Sequence, residues 1–262
     1  MKRPAPTFSR SRPALLAAAL CFTMSHMARA QDWPCYGCNP QHTSTSPENS
    51  QAPLVVHWSA PVDMNPPSTG GNLYIHYGSP VITDANTVLV PVKTGSTDGF
   101  EVLAYSYKAS GTLSKVWTMT TDYSAPACAW IPICGISLAP GDISLAVPAA
   151  GGTVLVRQSP DSATGVATRL AFYGIANYNS NPGAFAAAIK ICTPITTDAS
   201  GNLYFGYVSN GALLPGYPSG IPSGLARIGS NGSGTFTAAS AMSGDATTQS
   251  VLYNCAPALG NN

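Results

Sequence analysis

Most of the sequence consists of short apolar runs separated by turn-forming residues. Residues 88–90 and 203–205 are two such runs, and an asparagine-containing turn phrase precedes each one. Runs of this length and setting predict β-strands joined by tight turns. No stretch has a sustained helical period. The best helical candidate, residues 184–191, is short and is followed by Pro194, so it predicts a brief helical turn or a strand.

A longer pattern returns about every 57 residues. The phrase Ser-Pro-Val-Ile-Thr-Asp-Ala-Asn at 79–86 returns as Thr-Pro-Ile-Thr-Thr-Asp-Ala-Ser-Gly-Asn at 193–202, and a degenerate copy lies between them at 137–148. A fourth copy begins at Cys255. Units of this kind cannot bury their apolar faces alone, so the copies are expected to stack on one another. Because the chain ends as the fourth copy opens, we expect a truncated frame whose open apolar edge, near Leu252, can self-associate.

The first 30 residues have the layout of a secretory signal. Basic residues precede an apolar stretch at 14–22, and Ala28-Arg29-Ala30 has the small-x-small pattern of a cleavage site. We therefore expect a periplasmic or extracellular protein that is cut near Ala30. A lipid-modified Cys21 is an alternative, although Leu20 is bulkier than the residue that usually precedes such a cysteine.

Charge and hydropathy exclude two classes of partner. The full chain has a net charge of +1, and residues 31–262 carry seven basic and eleven acidic residues, or −4. Without a basic patch or a Lys/Arg run, the sequence predicts no nucleic-acid binding. No stretch approaches the roughly 20 apolar residues that a membrane span needs.

Six cysteines remain after the predicted cleavage, and they are candidates for disulfides in an oxidising compartment. They are Cys35, Cys38, Cys128, Cys134, Cys192 and Cys255. Fifteen pairings are possible. Close spacing favours Cys128 with Cys134, and equivalent places in successive repeats favour Cys192 with Cys255.

The Cys35-x-x-Cys38 motif has a turn composition, with prolines and a glycine around it. A redox dithiol would require a helix N-terminus to stabilise the thiolate. A local structural disulfide is therefore the favoured interpretation.

Two segments carry a family resemblance. Residues 32–43 resemble the phrase "DWPMYGGNPQHT" that opens bacterial proteins with pyrroloquinoline-quinone-type β-propeller repeats, with cysteine at positions 35 and 38. Residues 102–117 resemble the "LYALDxxTGKxxW" strand, turn and strand of those blades. The resemblance implies an all-β fold, a β-propeller of four-stranded antiparallel blades. At the observed period the chain would form an incomplete arc of about four blades, with residues 31–53 as an N-terminal segment and 54–262 as the repeats.

Three tryptophans are candidates for packing or binding. By the resemblance, Trp117 docks between blades, and Trp58 is placed in an outer strand and assigned to blade packing. Trp130 lies between two cysteines, where it either packs against the loop or contacts a ligand.

The same resemblance implies quinoprotein dehydrogenase chemistry, in which a tryptophan, a ring of adjacent cysteines, a carboxylate base and calcium surround the quinone. This sequence has no Cys-Cys pair, no Asp-x-Asp-x-Asp spacing and no Gly-x-Ser-x-Gly elbow. We therefore expect a non-catalytic exported scaffold or ligand-binding module without cofactor or metal, whose partner is a protein, a peptide or a carbohydrate. A quinoprotein-dehydrogenase-related protein is the alternative.

Overall fold

The computed structural model describes residues 32–46, 59–62, 68–73, 78–95, 99–107, 113–126 and 134–260. The predicted signal segment, the predicted outer strand that contains Trp58, and the loop that contains Cys128 and Trp130 lie outside these residues. The described part of the chain is mostly β and contains three larger antiparallel sheets.

The sheets follow one another along the chain as antiparallel meanders. A short hairpin, β1 (Ser68–Thr69) and β2 (Asn72–Leu73), precedes them. The first sheet contains β3 (Val81–Ile82), β4 (Thr87–Lys93), β5 (Phe100–Tyr107) and β6 (Leu113–Thr121). The second contains β7 (Ser137–Leu138), β8 (Ser144–Pro148), β9 (Thr153–Gln158) and β10 (Ala167–Ala171). The third contains β11 (Ile189–Ile191), β12 (Thr196–Thr197), β13 (Leu203–Ser209), β14 (Gly224–Ile228) and β15 (Gly234–Ala238).

The coarse prediction of antiparallel units with a period near 57 residues is confirmed. Two of the sheets have four strands, and in the third β11 and β12 both pair with β13, so that together they take the place of one inner strand. The middle strands are buried on both faces: β4 buries six of its seven residues, and β8 buries all five. One face of β4 packs in the core shared with the second sheet, and residues Val90 and Val92 on its other face pack in a smaller cluster with Ala60 and Val62. The arrangement is that of propeller-like blades.

The innermost strands of the second and third sheets lie side by side. The amide of Ile195 donates to the carbonyl of Gly135 at 3.1 Å, and the hydroxyls of Ser137 and Thr197 are 2.7 Å apart. The two contacts advance along both chains in the same direction, so these strands are parallel. The turns that follow them therefore lie at the same end of the structure.

Glycines 57 residues apart allow this close approach. A Cβ on Gly135 would lie 2.4 Å from the Cα of Pro194 in the next sheet. A Cβ on Gly78 would lie 2.4 Å from Cγ of Pro91 and 2.9 Å from the carbonyl oxygen of Cys134. The repeat thus preserves a residue without a side chain where consecutive sheets meet.

The predicted helix-or-strand segment contains both elements. Helix α1 (Ile175–Ser180) and helix α2 (Pro182–Ala188) precede β11, and α3 (Ala239–Ser243) follows β15. Helix α2 begins with a proline in its first turn, and the Asn181 side chain accepts a hydrogen bond from the Ala184 amide. Its Phe185 is fully buried and stacks on Tyr173 with ring centroids 4.4 Å apart.

The predicted fourth copy forms no strand within residues 244–260. Its backbone instead makes single contacts with earlier parts of the chain. The amide of Asn254 donates to the carbonyl of Cys192, and the amide of Leu259 donates to that of Pro40. The prediction of a fourth inner strand is wrong for these residues, because a lone innermost strand has no hairpin partner to complete its ladder.

Candidate functional site

The N-terminal segment contacts the innermost strands of all three larger sheets. Trp33 and Ile82 of β3 exchange backbone hydrogen bonds of 2.8 and 3.1 Å. The carbonyl of Pro34 accepts from the amide of Leu138 in β7 at 2.7 Å. His42 Nε2 lies 3.1 Å from Thr196 Oγ1 in β12. This segment therefore joins the three sheets at their inner edges.

The cysteines of this segment are buried in a turn. Cys35 is 1% exposed and Cys38 is 4% exposed, and the Cys38 amide donates to the Cys35 carbonyl. Burial, with smaller contributions from Cys38 and Asp32, raises the pKa of Cys35 to about 12, and burial likewise raises the pKa of Cys38. Raised pKa values disfavour the thiolate that a redox site needs.

The structure joins no two of the described cysteines in a disulfide. Cys134 is buried, which raises the pKa of its thiol to about 12. Cys192 is fully buried and Cys255 is exposed. Their chain segments meet through the bond from the Asn254 amide to the Cys192 carbonyl, as their equivalent places in the repeats suggested, but their pairing stays a prediction.

Trp117 lies at the seam between the first and second sheets. It is 8% exposed, and its Nε1–H donates to the carbonyl of Pro160 at 2.6 Å. The guanidinium carbon of Arg157 is 4.1 Å from the ring centroid. The guanidinium also donates to carbonyls of the β9–β10 loop, including that of Ser162 at 2.7 Å. One ring thus binds to the neighbouring sheet through packing, a hydrogen bond and a cation–π contact.

A cleft opens between the second and third sheets at the end that carries the inner turns. It has a volume of about 480 Å³. One wall is a face of the second sheet with the turn that joins β7 and β8, and the other is formed by two turns of the third sheet. The lining residues are Ala139, Pro140, Ile143, Ser144, Ala146, Val156, Gln158, Leu170, Ala199, Ser200, Gly201, Leu203, Gly229 and Ser230.

The lining of the cleft contains no charged side chain and no aromatic ring. Aliphatic groups such as Ala146 and Leu203 are buried, whereas Ile143 at the cleft is 64% exposed. Hydroxyl groups of Ser144, Ser200 and other serines add hydrogen-bonding capacity. The cleft is therefore suited to an uncharged group with apolar surface and a few polar atoms.

A second, more polar cavity of about 620 Å³ adjoins the cleft, and Ala199 and Ser200 line both. Its wall includes Asp198 and Tyr204. Burial of Asp198 is outweighed by hydrogen bonds from Asn202, the Ser200 amide and the Tyr204 hydroxyl, so the pKa of this carboxyl is lowered. Every one of these donors belongs to the same turn and strand, so the carboxylate stabilises the turn.

Four carboxylates meet at the same end of the first and second sheets. Asp142 Oδ2 accepts from the Asp84 amide at 2.6 Å, and Asp161 Oδ1 accepts from the Thr83 hydroxyl at 2.6 Å. Asp32 and Asp84 also act electrostatically on Asp142. The sequence analysis missed this group, although Asp84 and Asp142 lie 58 residues apart, about one repeat, in the inner turns of successive copies. The positive φ of 54° at Asp142 is a feature that asparagine, aspartate and glycine favour, but it does not identify the contacts.

Neither a metal-binding group nor a membrane-spanning helix occurs among the described residues. They contain no group of three or more His, Cys, Asp or Glu side chains placed to hold a metal ion. Nor does any helix in this part of the chain combine the length and the apolar character needed to cross a membrane.

No family model matches the chain. A search of curated proteins also found no match. Among solved structures, the chain is similar to the crystal structure of quinohemoprotein alcohol dehydrogenase from Comamonas testosteroni, with 13% sequence identity and a TM-score of 0.43. The similarity covers 81% of this chain and 28% of that one, so the chain spans less than a third of that protein's length.

Proposed function

We propose that this chain is part of an exported β-propeller with pyrroloquinoline-quinone-like repeats, and that it binds a partner without catalysing a reaction. The two resembling segments and the 57-residue repeat support the family assignment. The succession of antiparallel four-stranded sheets supports the architecture. Export rests on residues 1–30, and N-terminal sequencing of the protein from a periplasmic extract tests it: a mature terminus near Gln31 is expected, and an intact Met1 would contradict it.

The cleft between the second and third sheets is the observation that carries the binding function. Its volume of about 480 Å³ lies within the usual range for ligand sites. The absence of charge in its lining disfavours ionic ligands, because a charge moved there from water would lose its hydration without gaining an opposite charge. We assign to it an uncharged peptide segment with aliphatic side chains, whose backbone groups would bond to the serine hydroxyls and turn backbone.

Substitution at the mouth of the cleft tests this assignment. Ile143→Arg places a charge beside the apolar lining, at a position exposed enough to tolerate a long side chain. Val166→Arg is the matched control, since Val166 is 69% exposed and lies outside the lining. The probe is the uncharged apolar dye Nile red, followed by fluorescence titration and by competition with neutral and charged versions of one aliphatic peptide.

We expect the wild type to bind the dye saturably. Ile143→Arg should weaken the affinity at least tenfold, and Val166→Arg should leave it unchanged. The neutral peptide should compete with the dye, and the charged versions should not. Equal affinities in the two variants would place the dye elsewhere and contradict the cleft as the binding site. Equal competition by all peptides would contradict the assigned ligand class.

The quinone-binding alternative does not fit the described residues. The resemblance implies a tryptophan face and adjacent cysteines around the cofactor, whereas the chain has no adjacent cysteines. The ring of Trp117 is covered by Arg157 and the Pro160 loop. Titration with pyrroloquinoline quinone and calcium should therefore show no saturable absorbance change near one equivalent, and such a change would revive the alternative.

A further inference from the structure

Asp142 is a buried carboxyl group with one oxygen bonded and one oxygen unpartnered. Asp142 is 8% exposed. Oδ2 accepts the Asp84 amide across the seam between the first and second sheets. Oδ1 is fully buried and has no hydrogen-bond partner. An ionised carboxylate in this setting would keep its charge without the donors that normally compensate for lost hydration.

The charged groups that act on Asp142 are all carboxylates. Asp32 approaches from the N-terminal segment, Asp84 from the β3–β4 turn and Asp161 from the β9–β10 loop. The guanidinium of Arg157, from the adjacent strand β9, donates to loop carbonyls and stacks on Trp117. Negative groups thus surround Asp142 from three separate elements, and each of them favours the neutral acid.

We propose that Asp142 holds a proton in the folded protein and that loss of this proton loosens the seam between the first two sheets. Burial, opposed by the bond from the Asp84 amide and assisted by the three carboxylates, raises the pKa of Asp142 to about 6. The group therefore changes its charge within the mildly acidic range.

The same turn forms part of the cleft. Residues Ala139, Pro140, Ile143 and Ser144 line it, and Asp142 fixes their turn to the first sheet through the Asp84 amide. Deprotonation of Asp142 would add a negative charge behind this wall of the cleft. We therefore expect the cleft to lose affinity for its ligand as the pH rises through about 6, an extension that rests on the proposed binding function.

Urea denaturation of wild type and Asp142→Asn between pH 4.5 and 8 tests the proton itself. Asparagine keeps an acceptor oxygen for the Asp84 amide, carries no charge and tolerates the positive φ. The folded pKa of Asp142 lies above the unfolded value of 3.8, so the stabilising contribution of its proton is complete below 3.8 and is lost as the pH rises through about 6. Between pH 4.5 and pH 8, the ratio of the wild-type unfolding equilibrium constant to that of the variant should rise roughly thirtyfold.

Asp122→Asn is the control, because Asp122 is an exposed partner of Arg169 outside this group. Its stability should follow the wild-type pH profile. Carboxyl ¹³C NMR of the wild type provides a second measurement, and the signal assigned to Asp142 by its absence in Asp142→Asn should titrate with a midpoint of about 6. Parallel pH profiles for wild type and Asp142→Asn, or aspartates that all titrate below about pH 4.5, would overturn the proposal.

The cleft extension has its own measurement, namely Nile red affinity at pH 5 and pH 7.5 in wild type and Asp142→Asn. A tenfold loss at pH 7.5 in wild type alone is expected. Equal pH dependence in both proteins would overturn the coupling, even where the NMR midpoint supports the proton. Absence of dye binding at every pH would instead contradict the proposed binding function.

Discussion

Replacing Trp117 by alanine perturbs the seam between the first and second sheets at its largest buried ring. Trp117 comes from β6, the last strand of the first sheet, and the groups that it contacts belong to the β9–β10 region of the second. The ring is 8% exposed. The substitution therefore removes contacts between two sheets and leaves the hydrogen-bond ladder of each sheet intact.

The size of the stability loss follows from the contacts that are removed with the ring. Truncating a buried aromatic residue to alanine costs about 3–5 kcal/mol through lost transfer free energy and the cavity left behind. The Pro160 carbonyl also loses its donor, and Arg157, which is 4% exposed, loses the ring that it covers. We expect a loss of about 3–5 kcal/mol in the free energy of unfolding. Trp117→Phe keeps most of the ring and loses the N–H donor, which predicts about 1–2 kcal/mol.

Urea denaturation followed by far-UV circular dichroism measures these changes, because fluorescence would lose its reporter with the tryptophan. Thr118→Ala is the control, since Thr118 is the exposed neighbour on the same strand. It should change the stability by less than about 1 kcal/mol. A loss below about 1 kcal/mol for Trp117→Ala would show that the ring does not hold the sheets together and would refute the reasoning.

Three further predictions concern the sheet contacts and the side chains around them. Gly135→Ala should destabilise the fold by about 1–3 kcal/mol, because its Cβ would lie 2.4 Å from the Cα of Pro194 in the next sheet. Gly183→Ala should not destabilise it in the same denaturation assay, because its Cβ would meet only Asn181 Oδ1, at 3.9 Å. In reduced protein at pH 8, buried Cys35 should react with iodoacetamide hundreds of times more slowly than exposed Cys255. Peptide mass spectrometry measures both rates, and equal rates would contradict the raised pKa of Cys35. Asp198→Ala should lower the free energy of unfolding by about 1–3 kcal/mol at pH 7. Because the pKa of Asp198 is lowered in the folded state, the difference in stability from wild type should shrink as the pH falls below 3.8. A difference that does not depend on pH would contradict this prediction.

The sheets were predictable because their signals are local. The Thr-Asp-Ala-Asn phrase predicts a tight turn, and in the structure the Asn86 amide donates to the Thr83 carbonyl while Asn86 adopts a positive φ of 63°. Alternation of such turns with short apolar runs determines where each hairpin begins and ends. The 57-residue spacing then brings equivalent strands together, as the contact between Ser137 and Thr197 shows.

The seams were not predictable in the same way, since they join residues from different repeats. Asp142 belongs to the degenerate second copy, where Ala-Pro-Gly-Asp replaces the turn phrase of the other copies. Asp84 lies 58 residues earlier, about one repeat, in the equivalent inner turn of the first sheet. Asp32 in the N-terminal segment and Asp161 in the β9–β10 loop have no such relation to it. The prediction of a strand in the fourth copy was wrong for a related reason. The strand phrase is present at Cys255, but a strand also needs a partner, and residues 244–260 provide none.

The N-terminal segment stabilises three innermost strands that have only two residues each. Strands β3, β7 and β12 are too short to fix a sheet edge by their own ladders. Trp33 and Pro34 supply backbone partners to the first two of these strands, and His42 contacts the third. The segment therefore acts as an additional inner element that the three sheets share.

This structural role also accounts for the cysteines in the segment. Position 38 is glycine in the related phrase, and Cys38 here adopts a φ of 76°, which costs a residue with a Cβ about 1–2 kcal/mol. The side chain is 4% exposed, so its burial offsets part of that cost. Cys35 is buried still more deeply beside it, and its raised pKa keeps the thiol neutral. Packing in a turn that contacts three sheets requires buried, neutral thiols. A reactive Cys-x-x-Cys pair requires the opposite, namely an accessible thiolate.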